Sequence, residues 1–99
     1  MKHQKGSQKA YLLGLANALK PVVQIGKNGL TPELIDAISQ ALDAHELIKI
    51  KFMEFKEEKK TLSKLIGEQT QADLIGMIGN VAIYYKQNPN PEKRKIPIA

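Results

Sequence analysis

The stretch LIKIKFM, residues 47–53, constrains the fold more than any other part of the chain. Ile48, Ile50 and Phe52 alternate with Lys49 and Lys51. Successive side chains of a strand point to opposite faces, so this spacing predicts a strand with one apolar side. Such a strand needs neighbours along its edges and helices over its apolar face. The alternation therefore predicts a sheet with one covered face and one open face.

The rest of the chain supplies those neighbours. Leu12, Leu15, Ala16 and Leu19 fall at helical spacing, which predicts a helix from Ser7, as N-cap, to about Leu19. Gly14 inside it costs about 1 kcal/mol relative to alanine. Lys20-Pro21 ends the helix, because the residue before proline avoids the helical region. Val22-Val23-Gln24-Ile25 reads as a short strand rich in β-branched residues. Thr31 is a good N-cap and Pro32 fits the first helical position. Leu34, Ile35, Ile38, Ala41 and Leu42 then form an apolar stripe as far as His45. Residues 57–69 predict a third helix with Leu62, Leu65 and Ile66 inward. Residues 73–78 and 81–86 predict two strands joined by Gly79-Asn80, a two-residue hairpin turn. The order is αβαβαββ. It implies an α+β, two-layer fold with the helices packed on one face of a four-stranded mixed sheet.

A chain of 99 residues makes one domain, spanning 1–99. Its tail, QNPNPEKRKIPIA, residues 87–99, holds three prolines and a basic cluster. It is expected to be extended and weakly ordered, with Ile96 and Ile98 as points where it could dock. The chain has no cysteine, which excludes disulfides and thiolate metal sites. His3 and His45 lack metal-ligand spacing, so no metal or cofactor is expected. Lys2, Lys5 and Lys9 before the apolar run AYLLGL imitate a signal peptide. The run is too short for one, and its apolar residues have helical spacing. A cytosolic helix, and a cytoplasmic protein, are expected instead.

The net charge is +5 and the pI about 9.5. Residues 1–30 carry five lysines and no acid, whereas residues 31–55 carry two lysines and five acids. Both ends of the chain are basic, a distribution that attracts polyanions. Within the acid-free part, Gly26-Lys27-Asn28-Gly29 joins a strand to a helix start. Three readings of this loop compete. It could clamp a nucleic-acid backbone, as the GXXG loop of KH domains does. It could bind a nucleotide or phosphorylated metabolite, although G-x-x-x-x-G-K-[ST] and G-x-G-x-x-G are both absent. It could be only a turn, with Gly26 and Gly29 supplying positive φ. The lack of nearby acids in sequence removes local repulsion, and with the Thr31-Pro32 helix start it brings the clamp level with the plain turn.

Other residues carry less information. His45-Glu46 begins like a zincin motif, but no second histidine follows, and His45 suits a helix C-terminus. Lys49 and Lys51 suit a solvated strand face. Tyr84 and Tyr85 alternate, so one is expected in the core and the other exposed, as an ordinary edge aromatic in preference to a ring that stacks on a base. Glu57 and Glu58 adjoin lysines as surface charge pairs. There is no nucleophile with a paired base, so enzyme activity is not expected.

The stretches KPVVQIGKNGLT, HELIKIK and IGNVAIYYK together resemble the CRM domain, in its bacterial single-domain, YhbY-like form. The resemblance runs from about Gln8 to Ile96 and implies the same αβαβαββ order. It also implies non-catalytic RNA binding, with large-subunit ribosomal RNA precursors as partner and ribosome assembly as the role. By resemblance, Gly26, Lys27, Asn28 and Gly29 contact RNA, and Lys20, Lys9 and Lys5 extend the surface. Lys49, Lys51, Lys86, Lys93, Arg94 and Lys95 form a wider set of candidates. Tyr85 and Lys86 stand where the family often has a tyrosine and an arginine. Leu13 and Asn17 depart from the family, which often has a basic residue and a histidine there. A monomer acting without membrane or small-molecule substrate is expected. The alternative is a protein-interaction module, using an exposed face with Asp36, Asp43 and Glu46 to meet a basic ribosomal protein or assembly factor.

Overall fold

The computed structural model describes residues 6–97. The alternating stretch forms the strand β2, Leu47–Phe52, at the centre of the sheet. Around it, in chain order, are α1 (Gly6–Ala16), β1 (Val23–Ile25), α2 (Pro32–His45), α3 (Lys59–Thr70), β3 (Asp73–Ile78) and β4 (Val81–Tyr85). A short 3-10 turn, Lys56–Glu58, leads into α3, and another, Pro91–Lys93, lies in the tail. The sheet order is β1-β2-β4-β3. β1 runs parallel to β2, which requires the α2 crossover between them, and the other pairs are antiparallel. This is the mixed four-stranded sheet with three helices that the sequence predicts.

The helices do not all lie on one face. Ile38 and Leu42 of α2 and Ile66 of α3 bury Ile25, Ile48, Ile50, Phe52, Ala82 and Tyr84 on one side. Leu12 and Ala16 of α1 bury Leu47, Ile75, Ile83 and Tyr85 on the other. Leu47 has the same parity as Lys49 and Lys51, so the face with the lysines begins with a leucine. Pairing sets Leu47 beside Tyr85 and Lys49 beside Ile83. The second face is thus apolar at one end and polar at the other, and α1 covers only its apolar end. Two more sequence expectations change for this reason. Tyr84 and Tyr85 are both buried, because both faces of β4 are covered. Leu15 and Leu19, assigned to one stripe with Leu12 and Ala16, remain partly exposed.

Local details follow sequence closely elsewhere. The Thr31 side chain accepts from the Leu34 amide at 3.1 Å, capping α2 with Pro32 in its first turn. Ile38 and Leu42 are the buried centre of its apolar stripe. In α3, Ile66 is buried and Leu62 half-buried, but Leu65 is exposed. α1 starts at Gly6, so Ser7 is inside the helix rather than at its cap. β3 shifts register between Leu74 and Gly76. That bulge brings Ile75 and Gly76 together under α1. A Cβ on Gly76 would sit 3.2 Å from Leu13 Cδ2, so the glycine admits the helix. Leu13 therefore has a packing role in this chain.

Candidate nucleic-acid interface

The Gly26-Lys27-Asn28-Gly29 segment is a tight turn at the C-terminal end of β1. The Gly29 amide donates to the Gly26 carbonyl at 3.0 Å, leaving Lys27 and Asn28 at the exposed tip. Gly29 adopts φ 64, the left-handed region that glycine enters without strain. Gly26 does not, so only one of the two glycines is needed for backbone conformation. Open space surrounds the position where a Gly26 Cβ would stand. Phe55 packs on Gly29, its ring 3.4 Å from where a Cβ would be.

The surroundings of the turn differ from its sequence neighbourhood. Met53 and Glu54 amides both donate to the Ile25 carbonyl, at 2.9 and 3.1 Å. This pulls the segment after β2 alongside the turn, and Lys27 shares a surface hollow with Glu54, Glu57 and Glu58. Acids absent from residues 1–30 thus return through tertiary structure. The start of α2 is also less available to an anion than expected, because Thr31 occupies the Leu34 amide and Glu33 is in the first turn. Gln24 and Lys51 do not line that acidic hollow. Gln24 pairs with Lys51, which is exposed on the part of the sheet that α1 leaves uncovered.

The other candidate residues divide by position. Lys20 and Lys95 line a second hollow together with Leu47, at the far end of β2. Six residues of strand separate the ends, about 17 Å at ~3.3 Å per step. The structure therefore does not unite Lys20 with the turn. Lys49 is half-buried and donates to the Leu19 carbonyl at 3.1 Å, fixing the chain that leaves α1. It is a structural contact more than a solvated face. Lys86 flanks the C-terminal end of α3, beside Gly67 and Gln71. Lys93 is exposed, and Arg94 Nε donates to the Asn88 carbonyl within the tail at 2.9 Å. Lys9 is exposed on α1. Lys5 and Ile98 lie outside the described residues.

The tail is ordered by a residue that sequence reading placed on an exposed acidic face. Glu46 is fully buried. Its carboxylate accepts from the Asn88 amide at 2.6 Å on one oxygen, and from the Lys95 and Ile96 amides at 2.6 and 3.0 Å on the other. Its carbonyl accepts from the Lys86 amide at 2.8 Å. The cause is the one-residue connection between α2 and β2. Glu46 alone makes that corner, at φ 64, and the corner turns its side chain under the sheet end. The connection length, one residue between a helix pattern ending at His45 and a strand pattern starting at Leu47, was the available signal. Ile96 docks against the α1 core as a result, and the basic tail sits at the end of the sheet opposite the turn.

Both tyrosines are held away from chemistry. Tyr84 donates its hydroxyl to the Ser63 carbonyl at 2.7 Å, and burial raises its pKa well above the usual 10.0 despite that bond. Burial, then the Glu46 charge, pushes Tyr85 up as well, with Arg94 opposing and Asp73 adding. Neither ring is available to stack on a base. Among the described residues no group of three or more histidines and carboxylates could hold a metal ion. No described helix is long and apolar enough to cross a membrane.

Known proteins are similar to this chain in sequence and, in a solved structure, in fold. The family model of the CRS1 / YhbY (CRM) domain matches residues 5–86. The probable RNA-binding protein PA4753 of Pseudomonas aeruginosa is 34% identical over 87% of this chain and 84% of its own. The probable RNA-binding protein YqeI of Bacillus subtilis is 31% identical over 93% and 97%. A Haemophilus influenzae protein named RNA-binding protein is 38% identical over 92% and 90%. Among solved structures, that of the hypothetical protein SAV1595 from Staphylococcus aureus superposes with a TM-score of 0.77 at 32% identity, covering 94% of this chain and 98% of that one. A turn at the end of β1, a mixed sheet with helices on both faces and this match over most of the length lead to one conclusion: the chain belongs to the CRM domain family.

Proposed function

We propose that this protein binds structured RNA without catalysis, that large-subunit ribosomal RNA precursors are its partner, and that it assists ribosome assembly as a cytoplasmic monomer. The observation that carries the reading is the exposed Lys27-Asn28 tip, which projects beyond the sheet on an open-sided glycine turn. A phosphate can approach Gly26 without meeting a side chain, and Lys27 and Asn28 offer a cation and an amide. Family membership and the names of the relatives support RNA as the polyanion. The Glu54, Glu57 and Glu58 carboxylates repel a strand from one side of the turn. The RNA path therefore runs over the other side, past Gln24 and Lys51.

The alternative docking surface for a basic partner keeps Asp36 and Asp43, both exposed, but loses Glu46. Glu46 is buried, and Asp36 accepts from Gln40 Nε2 at 3.0 Å.

Phosphate contacts dominate such binding, so affinity should fall steeply with salt. The test compares the wild type with the Lys27→Asp, Asn28→Asp double variant on a large-subunit ribosomal RNA fragment, across salt concentrations. Both positions are exposed, and a melting curve checks the fold. The expected result is a loss of affinity of about tenfold or more, with a salt slope shallower by about one unit. Equal affinity for the folded variant would refute the reading.

A further inference from the structure

α1 has two apolar stripes. Leu12 and Ala16 meet the sheet and are fully buried. Tyr11 and Leu15, also four residues apart, face outward, and Leu19 and Val22 continue that stripe beyond the helix end. These four keep 38–47% of their surface exposed. A helix apolar on both sides is normally covered on both sides, and a contiguous exposed apolar patch marks an interaction surface.

The patch is part of a shaped hollow of about 520 Å³. Leu47 and Ile48 contribute to its lining, and Lys95, Ile96 and Pro97 of the tail add to it. The tail residues are there because the Glu46 carboxylate grips the Lys95 and Ile96 amides. A buried latch thus completes the hollow. Its basic lining residues are Lys20, His45 and Lys95, and no aspartate or glutamate lines it. That contrasts with the acid-lined hollow beside Lys27.

The lining chemistry selects the occupant. Sites for single-stranded nucleic acid stack bases on successive aromatic rings. Here the lining holds two aromatic rings, Tyr11 and His45, and the apolar residues besides Tyr11 are aliphatic. Aliphatic hollows take the apolar anchors of an amphipathic helix, spaced at i, i+3, i+4 and i+7. The cationic lining suits carboxylates beside those anchors. We infer that this hollow docks an acidic amphipathic helix of another protein, with its anchors on Tyr11, Leu15, Leu19 and Val22 and its carboxylates on Lys20 and Lys95. The site lies at the opposite end of β2 from the Lys27-Asn28 turn, so the helix and an RNA can be held together. The inference stands independently of the RNA reading.

The test places p-benzoylphenylalanine at Leu15 in the full chain, with Ala37, exposed on α2, as the control position. Cells are irradiated, and the adducts are digested and sequenced by mass spectrometry. The expected adduct at Leu15 is a net acidic segment of a different protein, with apolar residues at helical spacing. That segment, synthesised as a peptide, should bind the wild type and lose at least about tenfold in affinity to Lys20→Glu, Lys95→Glu and to Leu15→Ser. The adduct should persist in the Lys27→Asp, Asn28→Asp chain, which separates this result from the RNA test. An adduct to RNA, to a second copy of the chain, to residues 98–99 of the same chain or to a basic segment would overturn the inference. So would a yield no higher than at Ala37.

Discussion

Glu46 shows how one side chain can set the position of a whole segment. Its backbone sits at φ 64 and ψ −39, a sparsely populated region that costs about 1–3 kcal/mol. Three charge-assisted bonds from backbone amides offset that cost. Glu46→Gln keeps the shape but removes the charge and turns an N–H₂ group toward amide donors. The expected outcome is a loss of about 2–4 kcal/mol in denaturant unfolding, with faster hydrogen exchange at Asn88, Lys95 and Ile96. Unchanged protection at those amides would contradict the latch. The adjacent tyrosines give a paired prediction. Tyr84→Phe deletes a buried bond to the Ser63 carbonyl and should cost about 1 kcal/mol. The Tyr85 hydroxyl is buried with no hydrogen-bond partner among the described residues, so Tyr85→Phe should be neutral or stabilising. Equal losses in the two variants, read by chemical denaturation, would show that Tyr85 has a partner after all. Residue identity was legible for Thr31 and Pro32, whose roles are local. It was not for Glu46 and Tyr85, whose roles depend on what the tail and α1 place against them.

At the scale of elements, the docking of α1 explains why β3 is irregular. The bulge sets Gly76 beneath Leu13, with too little room for a methyl group without movement of the leucine. Gly76→Ala should cost about 1–2 kcal/mol by thermal or chemical unfolding. In a Leu13→Ala background the penalty should shrink, because the obstructing methyl group is gone. A penalty independent of Leu13 would locate the strain elsewhere. Element types were readable because each depends on local pattern: the Thr-Pro start of α2, the alternation of β2, the Gly79-Asn80 hairpin turn. The side on which α1 packs was not. Leu12, Leu15, Ala16 and Leu19 show that a face of the helix is apolar, but a sheet has two faces. Leu47, the one residue that marks the second face as apolar within β2, precedes two lysines of the same parity and was masked by them.

For the molecule as a whole, the two buried tyrosines couple stability to alkaline pH. Burial raises the pKa of both in the folded state. Above the ordinary value of 10.0, the unfolded chain releases these protons while the folded chain keeps them. The folded state then binds more protons, so stability is full below about pH 10 and falls as pH rises beyond it. Unfolding free energies measured between pH 8 and pH 11 should decline for the wild type. Phenylalanine at both positions should flatten that decline (lysine deprotonation leaves a residual slope), and an unchanged decline would exclude the tyrosines as its source. The charge distribution shows the division between chain and fold most clearly. The sequence by itself determined the order of elements, the glycine turn between β1 and α2, and the basic character of both chain ends, because each follows from neighbours within a few residues. Tertiary structure decided that the turn lies beside Glu54, Glu57 and Glu58, that Lys20 and the basic tail gather at the other end of the sheet, and that α1 keeps an apolar stripe facing out. Those outcomes depend on the parallel pairing of β1 with β2 and on the one-residue corner at Glu46. Both bring together residues far apart in the chain, and no local pattern of charge or hydrophobicity records where such a pairing will place them.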